Sequence, residues 1–126
     1  MRIVIVEDEV SLRELYRRKF AIADFTVDVA SNGAEGLAVC EKTQPDIILL
    51  DLRMPVMSGD EMLEKLRQTD WGASIRVVVL TNISRDEAPA KLRYLNVDRY
   101  IVKAHHTPAQ ILQVVNDVLG LRNGHG

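Results

Sequence analysis

The sequence predicts an α/β fold: a five-stranded parallel sheet in the order 2-1-3-4-5, doubly wound with five helices into a three-layer sandwich. Three observations lead there. Four apolar runs, Ile3-Val4-Ile5-Val6, Ile47-Ile48-Leu49-Leu50, Val77-Val78-Val79-Leu80 and Tyr100-Ile101-Val102, are short, continuous and rich in β-branched residues, as suits strands buried on both faces. The stretches between them switch to helical spacing, and strands alternating with helices imply right-handed crossovers over a parallel sheet. Each run also ends on residues with polar chemistry: Glu7-Asp8, Asp51, Thr81 and Lys103 in turn. In an open sheet of this kind, ligands bind at the carboxyl ends of the strands, where the strand order reverses.

Along the chain, Leu12, Leu15, Tyr16 and Phe20 share a face of the first helix. Thr26-Val27-Asp28-Val29-Ala30 alternates polar and apolar, which predicts a strand at the sheet edge. Ala34, Leu37 and Ala38 mark the second helix, Met62, Leu63 and Leu66 the third, and Ile111, Leu112, Val115, Val118 and Leu119 the last. The pairs Ser11/Glu14, Asn32/Glu35, Ser58/Glu61, Ser84/Glu87 and Thr107/Gln110 have the spacing of capping boxes or close relatives of them. Pro108 stands where a first helical residue would, and its missing donor costs nothing there. Pro89 conflicts with the pattern, because five residues beyond Ser84 its ring would clash with the first turn of the fourth helix. That helix is expected to start late or with a distorted first turn, making segment 82–89 the softest ordered part of the domain.

With 126 residues and 47% apolar content, the chain is long enough for one domain with a normal core. The domain is expected over residues 1–121 and a flexible C-terminal tail over 122–126, with Asn123-Gly124-His125-Gly126 frayed. A formal charge of −2 argues against direct nucleic-acid binding. The single Cys40 has no disulfide partner and is expected to be a core thiol on a helix. No secretory signal pattern is visible, and no stretch approaches the roughly 20 apolar residues that membrane insertion needs. The expected setting is cytoplasmic.

If the strand ends converge, three carboxylates meet at one edge. Two of them about 5 Å apart repel by roughly 3 kcal/mol at an effective dielectric near 20. Glu7, Asp8 and Asp51 together therefore call for a cation. The ligands are all oxygens, which favours a hard divalent ion, and few protein ligands are on offer, which favours Mg²⁺ over Ca²⁺. The alternative reading of Glu7 and Asp8 is negative charge favourably placed before a helix. Asp51 is the candidate nucleophile, since a carboxylate can take a phosphoryl group as an acyl phosphate when charge on the transferring oxygens is neutralised. Lys103 would supply a second positive contact and Thr81 a hydroxyl.

These residues, with the stretch Asp51-Leu52-Arg53-Met54-Pro55-Val56-Met57-Ser58-Gly59 and Tyr100, resemble the receiver domain of two-component response regulators, the CheY-like family, over nearly the whole chain. The resemblance implies a single-domain response regulator with Asp51 as phosphoacceptor, taking a phosphoryl group from a sensor histidine kinase or phosphotransfer protein in a Mg²⁺-dependent reaction. It implies direct metal ligation by Asp8 and Asp51, a ligand from the Arg53 backbone carbonyl, and Glu7 acting through a bound water. Thr81 and Lys103 would grip the phosphoryl group and Tyr100 would be an aromatic switch, although an aromatic on an edge strand also fits simple packing. Pro55 and Gly59 fit the family's loop, with Gly59 read as the residue of a turn needing positive φ. The implied output is a shift of the face formed by the fourth helix, fifth strand and fifth helix, read by a downstream target protein. Such a chain is a regulatory phosphoacceptor with intrinsic phosphotransfer and autodephosphorylation rather than an enzyme in the usual sense, and a monomer or weak dimer.

The chain departs from the family pattern in three places. Ala104 follows Lys103 where the family usually has Pro, so that loop is expected to be more mobile or differently shaped. Asn82 follows Thr81 where the family favours a small residue, so it is expected to restrict the acyl phosphate or hydrogen-bond to it. Positions 107–120 carry no Lys or Arg, so the charge-paired dimer of many DNA-binding regulators is not expected. Other readings fit less well. A flavodoxin would need a Ser/Thr/Gly-rich loop where Glu7-Asp8-Glu9 stands, an aspartyl phosphatase an Asp-x-Asp pair after the first strand, and a P-loop nucleotidase its Gly-Lys signature. A pseudo-receiver acting without phosphorylation, and a receiver fragment of a larger transcriptional regulator, are the alternatives within the family. Arg13, Arg17, Arg18 and Lys19 on the first helix suit either a kinase-docking surface or a solvated face.

Overall fold

A computed structural model describes residues 1–121; the expected tail at 122–126 lies outside the described residues. The elements run β1 (Arg2–Val6), α1 (Val10–Ile22), β2 (Thr26–Ala30), α2 (Gly33–Thr43), β3 (Ile47–Leu50), α3 (Gly59–Arg67), β4 (Arg76–Thr81), β5 (Arg99–Val102) and α4 (Pro108–Leu119). The strands form one sheet in the order β2-β1-β3-β4-β5, every pairing parallel. This is the predicted sheet, with β1 and β3 side by side at the switch point.

The period of two in the strands divides the core into two layers. Ile3, Ile5, Ile47, Leu49, Val78 and Leu80 face one way, against Phe20 of α1 and Ile111 and Val115 of α4. Val4, Val6, Ile48, Leu50, Val77 and Val79 face the other, against Cys40 of α2 and Met62, Leu63 and Leu66 of α3. Because both faces are covered, the strand runs are apolar throughout rather than alternating. Burial also pushes the Cys40 thiol up to about 12, as expected of an inert core cysteine.

Two helix faces differ from expectation. Leu15 is exposed, so α1 packs through Tyr16 and Phe20. In α2, Ala34 and Ala38 face solvent while Gly33, Gly36 and Cys40 are buried. The close fit explains the glycines: a Cβ on Gly36 would lie 2.9 Å from the Met62 sulfur.

Three of the five expected caps form: Asn32 and Ser58 accept helix amides, and Thr107 with Gln110 makes a reciprocal box. Ser11 does not cap α1, which starts earlier with Glu9 at the N-cap position.

The largest departure lies between β4 and β5, where the expected fourth α-helix is replaced by two 3₁₀ turns, Arg85–Glu87 and Ala90–Tyr94. Ser84 makes no side-chain cap there. Pro89 disfavours helical geometry at the residue before it, and Ala88 is extended at φ −66°, ψ 146°. The segment is therefore cut in two at Ala88-Pro89, leaving four α-helices among the described residues. Arg67 stabilises the far end of this region, its guanidinium donating to the carbonyls of Leu95 at 2.8 Å, Ile75 at 2.7 Å and Gly72 at 2.9 Å.

In the β3–α3 loop the residue with positive φ is Val56, at 68°, and its side chain is 83% exposed. Gly59 has no positive φ; it is the first residue of α3. A β-branched residue in the left-handed region costs about 1–2 kcal/mol with no packing in return. Val56→Gly is expected to stabilise the fold by about 1 kcal/mol after the flexibility it adds to the unfolded chain, read as a higher urea midpoint at unchanged slope.

Candidate functional site

Parallel strands ending in register bring the predicted residues together. β1 delivers Glu7 and Asp8, β3 delivers Asp51, β4 ends on Thr81 and β5 leads into Lys103. They line one open pocket of about 560 Å³, with Glu9, Arg53, Asn82, Ile83 and Glu87. That volume is ample for a hydrated cation and a phosphoryl group, a water taking about 30 Å³.

Glu7, Asp51 and Thr81 are buried, whereas Asp8 is exposed. The Lys103 ammonium donates to Glu7 Oε1 at 2.5 Å and to Asp51 Oδ2 at 3.0 Å, with only 11% of its side chain exposed. Burial alone would lower the lysine's pKa, but the Glu7 and Asp51 contacts more than offset it and raise it, so the ammonium stays charged. Burial raises the pKa of Glu7, and the nearby Asp51 charge adds to this against the pull of Lys103 and the Glu9 amide. One ammonium thus bridges two carboxyl groups.

Carboxylate oxygens of Glu7, Asp8 and Asp51 all lie within 4.8 Å of one another. An all-oxygen donor set this close, with one ammonium to balance it, fits a hard divalent cation. Asp51 Oδ1 accepts from the Arg53 amide at 3.4 Å, which ties the start of the loop back to the carboxylate. The Thr81 hydroxyl accepts from the Ile83 amide at 3.4 Å.

Tyr100 is half-buried, and its hydroxyl donates to the Ile83 carbonyl at 2.7 Å. The Arg85 guanidinium sits 5.6 Å from the centre of its ring and donates to its carbonyl at 3.0 Å. Tyr100 therefore connects β5 to the broken segment rather than to the pocket floor.

Some residues at the site carried no signal in the sequence. Glu87, at the end of the 3₁₀ turn Arg85–Glu87, lines the pocket. Arg13, grouped with the basic residues of α1, turns inward and donates to the Glu7 carbonyl at 2.9 Å. Arg17 and Arg18 are engaged on Glu14, as a solvated charged face would be.

Comparison with known proteins agrees with this geometry. Residues 3–116 match the family model described as "Response regulator receiver domain". The chemotaxis protein CheY of Halobacterium salinarum is 32% identical over 108 residues, which cover 86% of this chain and 84% of that protein. The nitrate/nitrite response regulator protein NarL of Escherichia coli K12 is 38% identical over 103 residues, covering 80% of this chain and 47% of NarL. The sensor histidine kinase TmoS of Ectopseudomonas mendocina is 33% identical over 91% of this chain, which spans only 12% of TmoS. Among solved structures, the chemotaxis response regulator CheY4 of Vibrio cholerae superposes with a TM-score of 0.85 at 26% identity, covering 93% of this chain and 97% of that one. No helix among the described residues is long and apolar enough to cross a membrane.

Proposed function

This chain belongs to the response regulator receiver domain family, and from that membership we propose that it accepts a phosphoryl group on Asp51 from a phosphohistidine of a sensor kinase or phosphotransfer protein. The observation that supports it best is the half-buried Lys103 ammonium bridging Glu7 and Asp51 at the mouth of the sheet. A surface lysine has no need of two carboxylates; an aspartyl nucleophile needs a fixed cation beside it.

In the proposed reaction an Asp51 carboxylate oxygen attacks phosphorus, the bond from phosphorus to the imidazole nitrogen breaks, and an acyl phosphate forms. Lys103, released from part of its hold on Asp51, follows the charge onto a phosphoryl oxygen, and the Thr81 hydroxyl donates to another. Asp8, Asp51 and the Arg53 carbonyl would hold Mg²⁺ directly and Glu7 through a water, the ion neutralising charge on the transferring oxygens. Tyr100 would act as the switch: drawing Thr81 toward the phosphoryl group pulls on Ile83, which the Tyr100 hydroxyl holds. The output surface would be segment 85–94, β5 and α4, read by a target protein.

The test is incubation with acetyl phosphate and Mg²⁺ followed by intact mass. A phosphate-sized gain that EDTA prevents, and that Asp51→Asn never shows, is the expected result. A chain that gains nothing, and whose thermal stability is untouched by Mg²⁺ or beryllofluoride, would be a receiver that works without phosphorylation.

The raised Glu7 pKa gives a further check. Metal binding needs the carboxylate, so affinity falls as pH drops through a value above the usual glutamate range. Without metal the sign is opposite, since a raised carboxyl pKa adds stability at low pH that is lost as pH rises through it. The Mg²⁺-induced rise in Tm is therefore expected to grow from about pH 5 to about pH 8. A shift that is flat or falling over that range would place the metal away from Glu7.

A further inference from the structure

The turn that carries Lys103 is short and exposed: Lys103–His105 form one 3₁₀ turn, and Ala104, His105 and His106 all face solvent. Two of its hydrogen bonds stay within the turn and its strand, from the His106 amide to the Lys103 carbonyl at 3.3 Å and between His106 Nδ1 and the Val102 carbonyl at 3.2 Å. A third leaves it. The Ala104 amide donates to Asn82 Oδ1 at 3.1 Å, 22 residues away in sequence, just past the end of β4.

The register gives this bond its meaning. Thr81 of β4 is paired with Val102 of β5, so one step further Asn82 stands opposite Lys103. In a parallel ladder every second residue turns its carbonyl to a given neighbour and accepts from the residue after its partner; for a residue at position 82 that donor would be residue 104. The Asn82 side-chain amide occupies the place of that backbone acceptor and extends the β4–β5 pairing by one rung past the strands' ends. Asn82 and the residues just before each end of this rung, Thr81 and Lys103, line the pocket. The rung needs an N–H at position 104, which a proline there would not have, so Asn82 and Ala104 are a matched pair.

We infer that Asn82 is a positioning residue for Lys103, its amide holding the Ala104 N–H so that the turn aims the lysine ammonium at Glu7 and Asp51. This rests on reading Asp51 as the phosphoacceptor. A lysine stem has four flexible carbons, and where its ammonium dwells depends on how firmly the backbone beneath it is fixed. Asn82 lines the pocket, but its side-chain oxygen is engaged on the Ala104 amide, so it acts on the lysine through the backbone of the turn.

The test follows labelling of the full chain by acetyl phosphate with saturating Mg²⁺. Asn82→Ala is expected to lower the maximal rate roughly tenfold. In a Lys103→Ala background, and equally in Ala104→Pro, the same substitution should change the rate by less than about twofold, because the path through Lys103 is already gone or differently built. The Ala104 amide proton resonance should move upfield in Asn82→Ala and stay in place in Asn82→Asp, which keeps an acceptor oxygen. If Asn82→Ala labels as fast as the unaltered chain, or faster because the side chain only obstructs access, the inference is wrong. An undiminished tenfold loss in the Lys103→Ala background would equally overturn it, as a general structural effect. If the unaltered chain is never labelled, the phosphoacceptor reading itself fails and takes this one with it.

Discussion

Gly59→Ala is expected to cost about 3 kcal/mol or more and to lower the Tm by roughly 10 °C. The added Cβ would lie 1.9 Å from the Asp51 carbonyl oxygen, 2.8 Å from its carbonyl carbon and 3.0 Å from the Leu52 Cα. None of these atoms is the free end of a side chain. The Gly59 amide also donates to the Leu52 carbonyl at 2.9 Å, so the first turn of α3 is drawn onto the end of β3. To admit a methyl group, either α3 must retreat with its buried Met62, Leu63 and Leu66 or the backbone of Asp51 must shift. The first route loses packing; the second moves the carboxylate off Lys103. Urea denaturation and acetyl phosphate labelling should therefore fail together. A variant as stable as the parent and labelled at the parental rate would show that this close approach is not real.

Gly59 also shows what the sequence could and could not convey. Its position in the loop was legible, but the reason was not: a turn needing positive φ was expected, and that conformation belongs to Val56. Sequence reveals that a side chain is missing, not whether its absence serves a dihedral angle or a neighbour. The strands were legible because their apolar runs need only be counted, and the site followed, since residues just past strand ends converge whenever the strands are parallel and in register. Helices were less so. The small residues of α2 gave a plausible stripe through Ala34 and Ala38, yet contact is made through Gly33 and Gly36, where the lack of a side chain lets Met57 and Met62 close in. The clash between Ser84's capping spacing and Pro89 was visible, but a late or distorted helix was expected, and the break at Ala88-Pro89 leaves two 3₁₀ turns instead. The Asn82–Ala104 bond is the extreme case, two departures from a pattern that look unrelated until the register places them side by side.

Lys103→Met should separate what the ammonium does for the fold from what it does for the chemistry. With the lysine removed, Glu7 and Asp51 remain buried with no fixed cation, and breaking a pair of this kind costs about 3 kcal/mol at neutral pH. The loss is conditional on charge. Lys103 has its pKa raised, so the stability it contributes is present below the ordinary lysine pKa and disappears as pH rises through its folded value. Glu7, already raised by burial, should rise further without its partner and can escape the repulsion by taking a proton. The destabilisation of the metal-free variant is therefore expected to be largest near pH 8 and to shrink toward pH 5, with urea unfolding at the two values as the measurement. Mg²⁺ should restore much of it, since an added dication does for the acids what the ammonium did. Labelling by acetyl phosphate should not recover alongside, because one donor to the transferring oxygens is gone, a loss of about a hundredfold for a preorganised site. A destabilisation equal at both pH values would mean that Lys103 contributes packing rather than charge, and recovery of labelling with Mg²⁺ would mean that its ammonium never meets the phosphoryl group.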